Sequence, residues 1–315
     1  MKAMNSNVMR SALSSLVNSR GDKFSSEGAI YIAPTSNVKD MCNLFSNYGS
    51  VLTVGGGGGI PFEALLRGAE NVECFDINKR QRAYFDLLCT SIRNLSYEDF
   101  CRFFSMDGKQ FMSPLILDVL GFFFEEDENR AILEPLFYFN KKDNFRYDYD
   151  VRMSFLTRFT SYYNKEDYER LQKELYDKRI NYEVCDISDV PKVFEGKKYD
   201  LIFLDNILQY YKNIGMLDSA YKVNNFIKKD LSQLLTDDGI IQVNYGFQLA
   251  AAALDSSKPY NNTFMSKQMV EVEKKEGING LLLAKGDYDY EFIPGVEVEL
   301  AEKAANVVLT YKKKR

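Results

Sequence analysis

Histidine is absent from all 315 residues. That removes the side chain whose unperturbed charge change lies nearest neutral pH, and with it Ser-His-Asp triads and histidine metal sites. The five cysteines, at 42, 74, 89, 101 and 185, form no CxxC, so neither a zinc site nor a redox pair is indicated. An odd, scattered set fits a reducing cytoplasm, with Cys74 and Cys185 expected as small hydrophobes in buried strands. No apolar run approaches the roughly 18 residues of a membrane span, and the N-terminus lacks the apolar core of a signal peptide. Excess positive charge is missing too. Forty basic and 45 acidic residues leave a net charge of −5, which argues against a nucleic-acid partner, and Lys312-Lys313-Lys314-Arg315 reads as a solvated end. What remains is a soluble intracellular protein with at most peripheral membrane contact. Its 45% apolar residues suffice for a sizeable core in one large or two modest domains.

Against these absences stands Val51-Leu52-Thr53-Val54-Gly55-Gly56-Gly57-Gly58-Gly59-Ile60. Four residues read as a buried strand, five glycines follow, and a helix pattern opens at Pro61-Phe62-Glu63-Ala64-Leu65-Leu66. Glycines admit positive φ and close approach of a ligand to the main chain, and the helix start adds unpaired N–H groups and partial positive charge. An acid at the end of the next strand, about 20 residues on, is the expected partner for ribose hydroxyls. Asp76, followed by Ile77, closes Val72-Glu73-Cys74-Phe75-Asp76 at 21 positions after Gly55. The glycines fit GxGxG at 55, 57 and 59 but not GxGxxG, because Ile60 and Pro61 stand where the last glycine is needed. No GxxxxGK[ST] occurs either. A glycine turn without a basic anchor suits an adenosine ligand lacking a pyrophosphate, for which S-adenosylmethionine is the candidate. The bland alternative is a loop that only turns the chain.

Residues 1–27 have the pattern of a moderately amphipathic helix, expected as a packing arm or homodimer contact, with a lid as the alternative. Val38–Phe45 reads as the first core helix. Asn78 opens a long helix with Ala83, Leu87, Leu88, Ser91, Ile92 and Leu95 on one face. Residues 102–180 leave the strand–helix rhythm and are expected as an inserted helical subdomain over the site, its aromatics mostly its own core; Arg152 and Arg158 are weak carboxylate-binding candidates. Strands resume at Asn181–Ile187, where Asp186 with Ile187 is a candidate for the adenine end of the ligand or a cap for a helix at Val190–Phe194. Leu201–Leu204 is a continuous apolar strand, as in the buried middle of a parallel sheet. Asp205, Asn206 and Tyr210 follow at its carboxyl end, the edge where open α/β sheets bind ligands. Asp205 and Tyr210 are the catalytic candidates, with a helix cap the alternative for Asp205. A helix at Tyr221–Leu235, a fifth strand at Ile240–Tyr245, a short helix at Ala250–Leu254, and strand signals at Gly280–Ala284, Tyr290–Ile293 and Val307–Tyr311 complete the chain. This spacing indicates an α/β fold with a doubly wound, mostly parallel sheet and an antiparallel edge. The expected division is residues 1–50 as arm and first helix, 51–101 with 181–315 as the ligand-binding α/β domain, and 102–180 as the insertion.

In its order of signals the chain resembles the class I, Rossmann-like SAM-dependent methyltransferase fold. Within that fold it is similar to the BtaA-like 3-amino-3-carboxypropyl transferases, which build betaine-lipid headgroups from S-adenosylmethionine and diacylglycerol. The segments that carry this are Val51–Ile60, Val72–Asn78, Ile92–Phe100 and Asp200–Tyr211, with Tyr97-Glu98-Asp99-Phe100 the most distinctive. The resemblance implies S-adenosylmethionine as donor, held by Gly55, Gly56, Gly57, Gly59, Asp76, Ile77, Asp186, Ile187, Asp205 and Asn206, and no metal. It implies aminocarboxypropyl transfer to an alcohol or amine, lipid or small molecule, with release of methylthioadenosine. Methyl transfer and donor binding without turnover are the alternatives. Tyrosines 31, 97, 210 and 211 are candidate aromatic faces for the sulfonium cation.

Overall fold

The computed structural model describes residues 30–31, 34, 38–41, 48–104, 118–124, 127–138, 160–205, 207, 225–227, 229–244, 282–283, 291–294 and 305–312. The expected helices at 1–27 and Ala250–Leu254, the arginines 152 and 158, and Asn206, Tyr210 and Tyr211 lie outside them.

The sheet is built from five parallel strands in the order β3-β2-β1-β4-β5, extended by antiparallel strands. These are β1 Ser50–Val54, β2 Asn71–Asp76, β3 Asn181–Val184, β4 Tyr199–Phe203 and β5 Leu235–Asn244. β8 Ala305–Lys312 runs antiparallel to β5 and also pairs the short β6 Leu282–Leu283 and β7 Glu291–Pro294. The chain is therefore a doubly wound α/β fold with an antiparallel edge, as the spacing of apolar runs predicts. The order reverses between β1 and β4, the switch point where such sheets open a crevice at their carboxyl ends. Apolar runs place β1 and β4 centrally: Val51, Leu52, Leu201, Ile202 and Phe203 are all buried. Thr53, the polar residue among them, donates its hydroxyl to the Phe203 carbonyl at 2.9 Å.

Helix α1 spans Val38–Met41, α2 Gly59–Leu66 and α3 Lys79–Asn94. α2 starts two residues before the expected Pro61, because Gly58 turns the chain with φ 82° and its carbonyl accepts the Phe62 N–H. Asn78 caps α3 by accepting the Arg80 N–H at 3.0 Å. α3 is buried almost all round, since it rests on β2 and β3 and is covered by later helices.

Those covering helices come from the β2–β3 connection: α4 Tyr97–Phe104, α5 Asp127–Tyr138 and α6 Lys165–Asp177. α5 packs on α3, and α6 lies mainly across α2 and α3. The buried Phe100, Tyr162, Tyr163 and Tyr168 join the same core cluster as α2 and α3. Glu63, fully buried in α2, accepts the Ser161 N–H and, at 2.9 Å, the Ser161 hydroxyl. The turn Ser161–Tyr163 is thus pinned to α2 by a charge-assisted pair.

Three features differ from the sequence pattern. β3 ends at Val184, so Cys185 and Asp186 lie past it and Cys185 is half-buried rather than a core residue. The Cys185 N–H still pairs with the Asp76 carbonyl at 3.0 Å, after which Asp186 accepts the Ser188 N–H and hydroxyl and bends the chain into the turn Ile187–Asp189. Asp186 thereby caps that turn rather than the helix itself, α7 Val190–Val193. Leu235, expected at the end of a helix, instead pairs with Tyr199 at the start of β5. A register shift follows, and Gly239 passes so close to the Tyr199 carbonyl that a Cβ there would lie 2.6 Å from it.

Candidate functional site

The glycine turn and Asp76 meet at the carboxyl ends of β1 and β2. The Gly55 N–H continues the strand pairing to the Phe75 carbonyl at 2.8 Å, and the Gly58 N–H closes back on the Gly55 carbonyl at 3.0 Å. Between them Gly56 takes φ 42°, a left-handed conformation that favours glycine. Gly56 is also the point where the turn opens outward. Among the described residues a Cβ on it would meet nothing within 4 Å, whereas one on Gly55 would sit 2.3 Å from the Tyr182 ring and one on Gly59 3.0 Å from Pro34 Cγ. Gly55 is glycine because Tyr182 packs beneath it. Gly57 and Gly59 are buried within the turn and the helix start.

Asp76 accepts the Asn78 N–H at 3.0 Å, and the N–H groups of Gly56 and Ile77 also point to its carboxylate. Burial nonetheless pushes its pKa up to about 6, the three N–H groups opposing that rise. The main-chain donors of Gly55, Gly56 and Gly58 are thus all engaged within the protein. A phosphate cradle needs such donors free and facing the ligand. Here the turn offers an anionic carboxylate and a bare Cα face instead.

Gln81 is the residue that sequence reasoning missed. It is buried in the first turn of α3. Its amide accepts the Tyr31 N–H at 2.7 Å, donates to the Tyr31 carbonyl at 2.9 Å and donates to the Gly56 carbonyl at 2.6 Å. The available signal was an amide in line with Phe85, Leu88 and Ile92 on the buried side of the helix. Tyr182 was also missed. Among the described residues its buried hydroxyl has no hydrogen-bond partner, its ring lies 5.1 Å from that of Phe85, and Arg82 stacks over it at 5.3 Å. Burial, and then the charge of Asp76, hold its phenol strongly neutral.

Asp205 stands two residues past the end of β4, across the switch point from the glycine turn, with φ 44°. It is the single non-glycine residue with positive φ among the described residues, a conformation that is sparsely populated and recurs at functional sites. The Leu204 N–H, donating to the Gln242 carbonyl at 2.9 Å, fixes the backbone just before it. Asp186 and Ile187 lie beyond the end of β3, next to Asp76 in the sheet, with Ile187 buried and the Asp186 carboxylate engaged with Ser188. The structure therefore brings Gly55, Gly56, Gly57, Gly59, Asp76, Ile77, Asp186, Ile187 and Asp205 to one edge of the sheet. Tyr97 is engaged elsewhere, donating to the Tyr163 carbonyl at 2.7 Å.

Among the described residues no cluster of three metal-ligating side chains occurs, and no helix is long and apolar enough to cross a membrane.

No protein-family model matches this chain, and no curated protein matches it. Solved structures do. The O-methyltransferase from Bacillus cereus in complex with SAH is 10% identical with a TM-score of 0.40, covering 99% of this chain and 93% of that one. The N-methyltransferase NodS from Bradyrhizobium japonicum in complex with S-adenosyl-L-homocysteine (SAH) is 11% identical with a TM-score of 0.39, covering 98% and 100%. A SAM-dependent methyltransferase from Streptococcus mutans is 13% identical with a TM-score of 0.38; this chain spans 47% of its length. Likeness at this level does not carry chemistry from one protein to another.

Proposed function

We propose that this chain binds S-adenosylmethionine across the carboxyl ends of β1, β2 and β4 and transfers its methyl group to an acceptor. The observation that carries the reading is the Asp76 carboxylate held against Gly56 at the carboxyl ends of β1 and β2, with the N–H groups of Gly55, Gly56 and Gly58 already engaged. That pairing disfavours phosphates and suits a ribose diol on a cationic, phosphate-free donor. Asp76 and Ile77 then take the ribose, Asp186 and Ile187 the adenine, and the turn Gly55–Gly59 the methionine side. Asp205 and Asn206 lie toward the reacting end, with Tyr210 the further catalytic candidate. The donor-binding unit is residues 51–101 with 181–315.

The chemistry asks little of the protein beyond positioning. The acceptor's lone pair forms a bond to the methyl carbon, the methyl–sulfur bond breaks, and its electron pair stays on sulfur, leaving S-adenosylhomocysteine. The acceptor's proton passes to Asp205 or to water. A lipid or small molecule, alcohol or amine, is the acceptor class.

Aminocarboxypropyl transfer is the second reading, resting on the Tyr97–Phe100 segment. That segment is engaged in packing: Phe100 lies 5.0 Å from Tyr168 and 5.7 Å from Tyr163, Glu98 pairs with Lys165, and Asp99 with Ser96. Its side chains hold α4 to α6, so methyl transfer, at the least hindered carbon of the sulfonium, is the preferred reading. Incubation with S-adenosylmethionine and a cell extract, followed by mass spectrometry of the nucleoside product, decides. S-adenosylhomocysteine supports methyl transfer, methylthioadenosine overturns it in favour of γ-carbon attack, and binding without either product leaves a non-catalytic donor-binding protein.

A further inference from the structure

We propose that Gln81 is a positioning residue of the donor site, fastening the strap that precedes β1 to the glycine turn. The inference rests on the donor reading above and deepens it. Its basis is geometric. Gly56 is gripped on both polar atoms by side chains from the β2–α3 region: its N–H points to the Asp76 carboxylate, and its carbonyl accepts from Gln81 at 2.6 Å. One polar atom of each peptide flanking Gly56 is thereby held, and the face left outward is the open Cα side of Gly56.

The same amide pairs with Tyr31 as a backbone would, accepting from its N–H and donating to its carbonyl. Farther along the strap Pro34 and Val38 rest on Gly59, where a Cβ would lie 3.0 Å from Pro34 Cγ and 3.2 Å from Val38 Cγ2. The strap thus touches both ends of the turn. Gln81 is the group that joins them, and being 1% exposed it cannot exchange these bonds for water without opening the site. Donor binding that needs the turn in this conformation therefore needs Gln81, although Gln81 itself is buried behind the turn.

The test is isothermal titration of the full-length protein with S-adenosylhomocysteine. Gln81→Met keeps the length and packing of the side chain and removes all three hydrogen bonds. Gln81→Asn keeps an amide too short to span Tyr31 and Gly56, and carries the test if Gln81→Met does not fold. Gln172→Met is the control, because Gln172 likewise donates to two carbonyls, those of Ile92 at 2.7 Å and Leu95 at 3.0 Å, away from the turn. The expected result is folded Gln81 variants that bind about tenfold or more weakly, the loss of one or more buried hydrogen bonds, with Gln172→Met within about twofold of wild type. Wild-type affinity in a Gln81 variant overturns the inference and leaves the donor reading standing, as does an equal loss in Gln172→Met. A wild-type protein that does not bind S-adenosylhomocysteine overturns both.

Discussion

Asp76 offers the sharpest test of the donor site, because its pKa and its proposed role pull in opposite directions. In the folded chain burial raises it from the ordinary aspartate value of 3.8 to about 6, despite the N–H groups of Asn78, Gly56 and Ile77. The folded protein therefore holds this proton more tightly than the unfolded chain. The stability it contributes is fully present below pH 3.8 and is lost as pH rises through about 6. Ribose hydroxyls donate to the ionised carboxylate, so donor binding draws the pKa down again. Affinity for S-adenosylhomocysteine should then weaken as pH falls below about 6, by up to about tenfold per pH unit. Asp76→Asn removes the charge and turns amide N–H groups toward the same backbone donors. With charge-assisted bonds worth about 1.5–3 kcal/mol, losing even one lowers affinity about 10- to 150-fold. Isothermal titration from pH 5 to pH 8 reads both effects, and the pH dependence should flatten in Asp76→Asn. A wild-type affinity flat across that range, together with unchanged binding by Asp76→Asn at pH 7.5, would refute the ribose assignment.

Other predictions follow from packing and backbone geometry. Gly55→Ala drives a methyl into the Tyr182 ring and should destabilise by about 1–3 kcal/mol in urea titrations. In a Tyr182→Val background the same alanine should cost under about 1 kcal/mol, and an equal cost in both would show that Tyr182 is not the obstacle. Glu63→Ala leaves the Ser161 N–H and hydroxyl without their buried acceptor and removes the partner of Arg67 at 3.4 Å. A loss of about 3 kcal/mol is expected, and a loss below about 1 kcal/mol would mean that water reaches Ser161. Asp205→Gly relieves the left-handed backbone and should raise stability by up to about 1 kcal/mol while lowering turnover by more than it lowers S-adenosylhomocysteine affinity. Retained turnover would remove Asp205 from the chemistry.

The sequence alone determined those features whose causes are local. β1 and β4 were legible because buried parallel strands are continuous apolar runs, as in Val51-Leu52 and Leu201-Ile202-Phe203. The glycine turn and Asp76 were legible because a strand, a turn and the next strand place them at a near-constant spacing, and even the antiparallel edge showed in short β-branched runs such as Val307-Val308. Tertiary structure alone decided what long-range polar partners do. Gln81 reads as an ordinary helix residue until folding sets Tyr31, 50 positions away, and Gly56, 25 positions away, against its amide. Glu63 reads as an exposed helix charge until Ser161, 98 positions on, covers it. The pattern of α6 announces one buried face but not that α2 and α3 are what it buries. Tyr97-Glu98-Asp99-Phe100, distinctive as letters, proves to be a clasp between α4 and α6. Periodicity records which side of an element avoids water, a property of each segment by itself. The partner of a buried polar group is a property of two segments, and it exists only once the chain has closed.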